Sequence, residues 1–419
     1  MNDFNKIRAF DYSDFDSSNI IDIDLDGEYF RSNWENILAD WATRPPIYIT
    51  TDGVPQFVFC ARHRDNLEVY LNRDGLFTTD IPKVPGYERF DFFYGKTNVG
   101  MIDGAEHRRI RRLLDPSFSA AMVKSSVELI DQSIDGLLDK LASKGSVVDV
   151  MSDFSVHLVD AILLEGMLKI KDEQRRAFAR MAATFHLVAS IPPGGEYPRE
   201  YIDGFEAAVD AVSALVDERR NKPGNDMISV MVQARDQGDQ LTNDELIYNL
   251  FAIFAGGLTT TSISTACALL NLARHPDQLQ ILQDDMDLLP MAIEECLRIH
   301  APGYLSFPRF ARQDLTIGGT PVYAGAVIGV SPQAANYDPV VFPDPLRFDV
   351  RRNPKNIMTF GTGIHNCVGS RLARFVIQAS LRKFMERFPK FRLEDRNYRP
   401  KYIGQRGELL PVSIPMRID

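Results

Sequence analysis

Cysteine is scarce in this chain: four residues in 419, namely Cys60, Cys267, Cys296 and Cys367, lie far apart with no CxxC pair. That spacing argues against a disulfide framework or a zinc site and suits a reducing cytoplasm. Positive charge is not in excess either. Lys and Arg number 47 against 57 Asp and Glu, a net charge of −10, which argues against general nucleic-acid binding and for solubility. The first residues, MNDFNKIRAFDYSDFD, lack the basic and apolar regions of a signal peptide. Internal repeats and low-complexity segments are missing as well. What remains, 45% hydrophobic and 25% charged residues, is an ordinary globular composition. The length exceeds what one hydrophobic core usually serves, so two lobes or more are expected.

Charge is missing altogether from Leu246 to Ala273, a stretch long enough to cross a bilayer. Its middle, however, is a hydroxyl run, Thr259-Thr-Thr-Ser-Ile-Ser-Thr265, with Asn249 and Asn271 near its ends. A capping box, Thr242-Asn-Asp-Glu245, opens it, and His275-Pro276 closes it. About thirty residues at ~1.5 Å each give a helix about 45 Å long. A helix apolar on all sides is either a membrane span or the buried axis of a large protein. The hydroxyls and the lack of flanking anchors predict the buried axis, with no membrane partner.

Around that axis, Pro46 to Cys60 reads as two strands about an Asp52-Gly53 turn. From Glu106 to Leu289 the periodicity is mostly helical, broken near Ile191–Gly195 and Lys222–Gly224. After Pro302 the texture turns to strands through Val330, then to an irregular proline-rich run from Asn336 to Lys355. A helix follows Cys367, and strands close the chain. The fold class is therefore mainly α, a large helical lobe with a smaller β-rich portion.

Cys367 sits in FGTGIHNCVG, Phe360 to Gly369, just before an apolar helix face at Leu372, Phe375, Val376 and Ala379. Gly361 and Gly363 permit backbone angles closed to other residues, and Gly369 lets the next helix pack close. A thiol at a helix N-terminus is favoured as thiolate, which suits a nucleophile or a single metal ligand. A buried structural cysteine is the bland alternative.

This run resembles the haem-binding signature of the cytochrome P450 family, FGxGxHxCxG, at every defined position. The resemblance implies that Cys367 is the proximal thiolate ligand of a haem iron and that His365 reaches a haem propionate. It also implies the family's fold over residues 1–419 as a single domain, with haem between the long central helix and the helix after the cysteine loop. The β-rich portion would span roughly 46–75 and 302–335 plus the C-terminal strands, and the helical lobe roughly 106–300 and 368–388. Glu295 and Arg298, one helical turn apart, with Arg347 of the proline-rich run, look like the family's structural Glu-Arg-Arg triad. His107 and Arg111 match its HxxxR pair, and Arg309 its strand arginine, all three toward the propionates. An exposed basic helix face is the alternative reading. Gly104-Ala105 stands where the family often has two prolines.

Gly256-Gly257-Leu258-Thr259-Thr260 resembles the family's [AG]-G-x-[DE]-T, in which glycines open a groove for O2 and Thr260 aligns with the threonine that hydrogen-bonds it. Two mid-helix glycines, each unfavourable by about 1 kcal/mol, fit a steric demand. The departure is Thr259, where the family has an acid that relays protons. Either water and the Thr259 hydroxyl take over, or the enzyme prefers peroxide or couples poorly, or the substitution is simply tolerated. By the family's architecture the substrate pocket draws on Tyr87, Phe90, Phe92, Phe93 and Tyr94, on Phe251, Phe254 and Leu258, on Tyr304, Leu305 and Phe307, and on Tyr402 and Ile403. Such walls suit a small hydrophobic substrate, a terpenoid or an aromatic, although any one of these side chains can equally be core.

The resemblance implies a soluble bacterial-type monooxygenase, a monomer, that carries haem b and takes NAD(P)H electrons through a reductase and an acidic ferredoxin. Arg108, Arg109 and Arg112, with Arg371 and Arg374, form a basic patch to receive it. Peroxide-driven oxidation and a non-catalytic haem sensor are the competing functions, though a sensor needs neither Thr260 nor the glycine groove.

Overall fold

The computed structural model describes residues 19–419 except 84–85, 190, 192–193, 225, 235–238 and 405–406. The N-terminal stretch and part of the break at 191–195 lie outside the described residues.

The Asp52-Gly53 turn forms as its residues dictate. Both take positive φ, 52° and 72°, and join Ile47–Thr51 to Val54–Cys60 as a hairpin. These strands sit within a six-stranded mixed sheet, in the order Ile20–Asp22, Ile47–Thr51, Val54–Cys60, Val327–Val330, Arg309–Ala311, Phe77–Thr78. The sheet thus reaches beyond the expected 46–75 at both ends. Its outer strands of three and two residues are too short to show an alternating pattern. Beneath it lies a small core of Tyr48, Val58, Val69, Ile317 and Ile328. A larger core binds the helices.

The uncharged stretch is helical from Asn243 to Leu258 and from Thr260 to Arg274, with a local irregularity at Thr259. Its capping box is present, Thr242 N donating to Glu245 Oε2 at 2.8 Å and Glu245 N to Thr242 Oγ1 at 3.2 Å. The segment Asn243–Arg274 is the one helix among the described residues that is long and apolar enough to cross a membrane. Every residue from Ser262 to Leu272 is buried in the protein. The hydroxyl run tolerates that burial because Thr260, Ser262 and Thr265 each donate to the carbonyl four residues back, Gly256, Leu258 and Thr261. Elsewhere the helical region departs from simple periodicity, with π-helical turns at Met151–Ser155 and Asp160–Met167. In the second, a Cβ on Gly166 would come within 2.4 Å of Leu129 Cδ2.

His300 ends the Glu295 helix inside this core, packed at a tilt against Trp34 and Tyr402 with ring centroids 5.0 and 5.5 Å away. Burial, with Arg274 nearby, lowers its pKa from 6.5 to about 3. The unfolded chain therefore binds a proton below about pH 6.5 that the folded chain refuses until about pH 3. Stability should fall as pH drops through that window, by up to about 1.4 kcal/mol per pH unit from this group. Urea melts of wild type and His300→Gln across the window check it, the variant showing the flatter profile.

Candidate haem-thiolate site

Asp103 precedes the helix Gly104–Leu114 that carries His107 and Arg111. Gly104 takes φ +70°, a conformation suited to glycine. The Asp103 carboxylate does not cap the helix. It accepts from Thr78 Oγ1 and Thr79 N at 2.9 and 3.0 Å and from His365 Nε2 at 2.9 Å. Burial pushes Asp103 upward, but these bonds outweigh it and hold the carboxyl well below the usual range. His365, itself lowered by burial with Asp103 opposing, packs edge-on against His107 with centroids 4.6 Å apart.

His107 is buried, and neither of its ring nitrogens has a partner, nor has Nδ1 of His365. Burial first, then the charges of His365 and Arg111, lowers His107 to about 4. Orphaned buried nitrogens cost on the order of 1–3 kcal/mol each, so these rings suit an anionic group. Two cations stand beside them. Arg111 donates to Asn366 O at 2.7 Å and to Asp115 at 2.6 Å. Arg309, buried, donates to the carbonyls of Phe307 and Pro308, and burial lowers its pKa.

Gly361 and Gly363 both take positive φ, 64° and 72°. A Cβ at Gly363 would lie 2.5 Å from the Tyr70 carbonyl oxygen, so glycine is required there by contact as well as by angle. The loop closes through Cys367 N to Phe360 O at 2.9 Å. Alone among the four free cysteines, Cys367 is exposed. Although the residue reaches solvent, protein packed around its sulfur raises the thiol pKa, while the Gly369 and Ser370 N–H groups and the Arg111 and Arg374 charges oppose that rise. A soft sulfur donor, three unpartnered imidazole nitrogens on His107 and His365, and two guanidiniums make a donor set that fits a haem with its iron on sulfur and its propionates on nitrogen.

Glu295 and Arg298 pair bidentately at 2.7 and 2.9 Å, both wholly buried. The second arginine on Glu295 is Arg352, Nε to Oε1 at 3.0 Å. Arg347, expected in that place, instead has an exposed side chain 3.5 Å from Asp349, and it contributes its backbone carbonyl to Arg298 and Arg352. The proline-rich run has no regular period, so spacing alone could not reveal which arginine turns inward.

On the central helix, Gly256 is exposed and a Cβ there would meet nothing within 4 Å, whereas one on Gly257 would approach Leu163 at 3.2 Å. Thr260 Oγ1 donates to Gly256 O at 2.9 Å. Thr259 is tied elsewhere, to Glu408 Oε1 at 2.9 Å. Glu408 was not among the expected residues, and the glycines at 404 and 407 were the only local signal of a tight turn there.

Phe90, Phe93 and Phe307 share a cleft with Phe92 and Phe310. Tyr87 backs it, packed on Phe90 and Phe310 with its hydroxyl on Gly325 O. Leu258 and Leu305 are half-buried and Ile403 is exposed. Phe254 is core instead, fully buried against Phe178, because it shares the Phe251 side of the helix and not the Gly256–Thr260 side. The basic patch is largely neutralised: Arg109 pairs with Asp239 and Glu245, Arg374 binds Glu294 at 2.5 and 3.0 Å, and Arg112 also has a partner. Arg108 and Arg371 are exposed.

The family model described as Cytochrome P450 matches residues 42–413. Among curated proteins the chain is 32% identical over 320 residues to the Nocardicin C N-oxygenase of Nocardia uniformis subsp. tsuyamanensis, 75% of this chain and 78% of that one. It is 29% identical over 408 residues to the 6-deoxyerythronolide B hydroxylase of Saccharopolyspora erythraea, 93% of this chain and 98% of that one. Among solved structures it resembles epothilone D-bound cytochrome P450epoK, with a TM-score of 0.83, 25% identity, and coverage of 95% and 99%.

Arg298→Ala should lose about 3–5 kcal/mol of stability by stranding a buried carboxylate, and Arg352→Ala about 1.5–3 kcal/mol, chiefly through the charged bond to Glu295, its other three bonds to the carbonyls of Pro343, Asp344 and Arg347 being solvent-exposed. Arg347→Ala should stay within about 0.5 kcal/mol. Denaturant melts of the three variants check the order.

Proposed function

Given that the chain belongs to the cytochrome P450 family and is a monooxygenase, we propose that it inserts one oxygen atom of O2 into a C–H bond of a small hydrophobic substrate. The second atom leaves as water with two electrons and two protons, the electrons coming from NAD(P)H through a reductase and a ferredoxin. The relatives' names support the reaction type, one a hydroxylase and one an N-oxygenase. The observation that carries the site assignment is the cluster of Cys367 in its glycine loop with the unpartnered nitrogens of His107 and His365.

Cys367 Sγ would hold the iron of haem b, and His107, Arg111, Arg309 and His365 its propionates. Haem held by cysteine thiolate supplies electron density that favours O–O cleavage. Asp103 orients His365 through the Nε2 bond, leaving Nδ1 for the cofactor side. Phe360 takes the Cys367 N–H and stacks under the Arg374 guanidinium, 4.3 Å from its ring centroid, which steadies the loop. Thr260 and the open face at Gly256 serve O2. The apolar lining of the cleft of Phe90, Phe93 and Phe307 favours an apolar terpenoid or aromatic. The enzyme acts in the cytoplasm as a monomer. Peroxide-driven turnover is the second reading, carried by the hydroxyl of Thr259 in the acid's place.

The reduced, carbon-monoxide-treated protein should show the absorption band of thiolate-bound haem, and Cys367→Ala should lose it. Absence of the band from haem-loaded wild type would refute the assignment. Turnover with NAD(P)H, reductase and ferredoxin should exceed turnover with hydrogen peroxide alone; the reverse would favour the second reading. With so much of the basic patch paired, the ferredoxin-driven reduction rate should fall with salt by only about tenfold between low and physiological ionic strength, and Arg108→Glu with Arg371→Glu should remove most of that dependence in stopped-flow measurements.

A further inference from the structure

The hydroxyl at Thr259 turns away from its own helix, and the group it reaches is ionisable. Thr259 Oγ1 donates to Glu408 Oε1 at 2.9 Å, across 149 residues of sequence. The neighbouring Thr260, Ser262 and Thr265 hydroxyls are all spent on carbonyls four residues back. The backbone angles at Thr259, φ −101° and ψ −40°, place it at the junction of the two helical segments, one residue before Thr260 and three after the exposed Gly256.

Glu408 is held there by a tightly built turn. A Cβ on Gly404, at φ +139°, would lie 2.8 Å from both the Cβ and the carbonyl oxygen of Glu408. A Cβ on Gly407, at φ +99°, would lie 2.5 Å from Leu305 Cβ, and one on Gly303 would lie 2.8 Å from Gly407 O. Further bonds complete the clamp: Gly303 bridges Glu408, Leu409 N donates to Pro302 O at 3.0 Å, and the Arg31 guanidinium donates to Gly404 O at 2.7 Å. Gly407 and Leu409, on either side of Glu408, are held by contacts that do not involve the Glu408 side chain.

We propose that Glu408 supplies, from the C-terminal turn, the carboxyl group that the central helix lacks at Thr259, and that the pair passes protons toward Thr260. This rests on the monooxygenase reading, in which each turnover consumes two protons as one oxygen atom leaves as water. Thr259 Oγ1 donates to Glu408 when Glu408 is ionised. Once Glu408 is protonated the bond reverses, and in each transfer the Glu408 carboxyl O–H breaks as its proton goes to Thr259 Oγ1, while the proton already on Oγ1 passes to a water molecule at the exposed Gly256 face. The carboxylate left behind is reprotonated from solvent. No oxidant or reductant enters this step. Glu408 acts through Thr259 and is a positioning and proton-holding residue. The geometry thereby favours proton delivery by a hydroxyl–carboxyl pair over the peroxide-dependent reading of the Thr259 substitution.

Glu408→Gln keeps the shape and an oxygen to accept from Thr259 but cannot give up a proton. In holoenzyme supplied with NAD(P)H, a surrogate ferredoxin and its reductase, and O2 without added substrate, it should consume NAD(P)H about tenfold to a hundredfold more slowly than wild type. The solvent deuterium isotope effect should rise. The carbon-monoxide band and the melting midpoint should stay at wild-type values, and Glu408→Asp should recover most of the rate. Infrared difference spectra of the protein should contain a carboxyl band that Glu408→Gln removes and Thr259→Val shifts, a readout independent of turnover. Wild-type NAD(P)H consumption in Glu408→Gln, a rate loss that merely follows a lowered melting midpoint, or a carboxyl band unmoved by Thr259→Val would overturn the proposal. A wild-type protein lacking the carbon-monoxide band would instead overturn the haem reading beneath it, while the infrared result would still decide whether the pair exists.

Discussion

The buried ion pair of Glu295 and Arg298 is the constraint on which the cysteine loop depends. Arg298 uses all five of its N–H donors: two on Glu295, and the others on the carbonyls of Asn336, Pro345 and Arg347. Glu295 in turn receives Arg352 Nε and Asp349 N as well. Such a pair repays its desolvation only when its geometry is good and further hydrogen bonds meet the remaining groups; here all five Arg298 donors are met, and Glu295 takes four bonds, three on Oε1 and one on Oε2. Asn336 carries the connection onward, bonding Thr359 Oγ1 and Met358 N, while Thr359 returns to Leu297 O. The residues just ahead of Phe360 are thereby fixed, and Phe360 O is the acceptor that sets the backbone of Cys367. An irregular, proline-rich segment without helix or strand thus behaves as a rigid part because its backbone carbonyls are claimed by two guanidiniums, Arg298 taking those of Asn336, Pro345 and Arg347 and Arg352 those of Pro343, Asp344 and Arg347.

Electrostatics on the two sides of the loop follow different logic. Toward His107 and His365, imidazole nitrogens are left without partners and Asp103 is saturated with donors, which keeps one carboxylate from occupying the ground meant for another anion. Toward Arg109 and Arg374, carboxylates cover the guanidiniums, and Arg374 also lies on the Phe360 ring. Cationic character alone is thus a poor guide to a docking face: the same residue type serves as a free charge in one place and as a staple in another.

The parts of the fold legible in the sequence were those governed by local chemistry. The Asp52-Gly53 hairpin, the Thr242 capping box, the buried course of the uncharged helix and the glycine loop at Cys367 each follow from a few adjacent residues. What escaped was set by contacts far apart in the chain. Arg352 and not Arg347 meets Glu295 because turns in the proline-rich run, not periodicity, decide which side chain points inward. Phe254 lies in the core because the helix rotates it away from Thr260, a matter of which face meets which neighbour. Glu408 comes to Thr259 only through the folding of the C-terminal turn against Gly303.

The close approach of Gly363 to Tyr70 joins the sulfur-bearing loop to the sheet-side helix His63–Leu71 with no room between backbones. Two regions distant in the sequence are in this way joined into one cooperative block. Opening of the His63–Leu71 helix must release the grip on the thiol loop at the same moment, so loss of prosthetic group and loss of sheet-side order become a single event on the unfolding path.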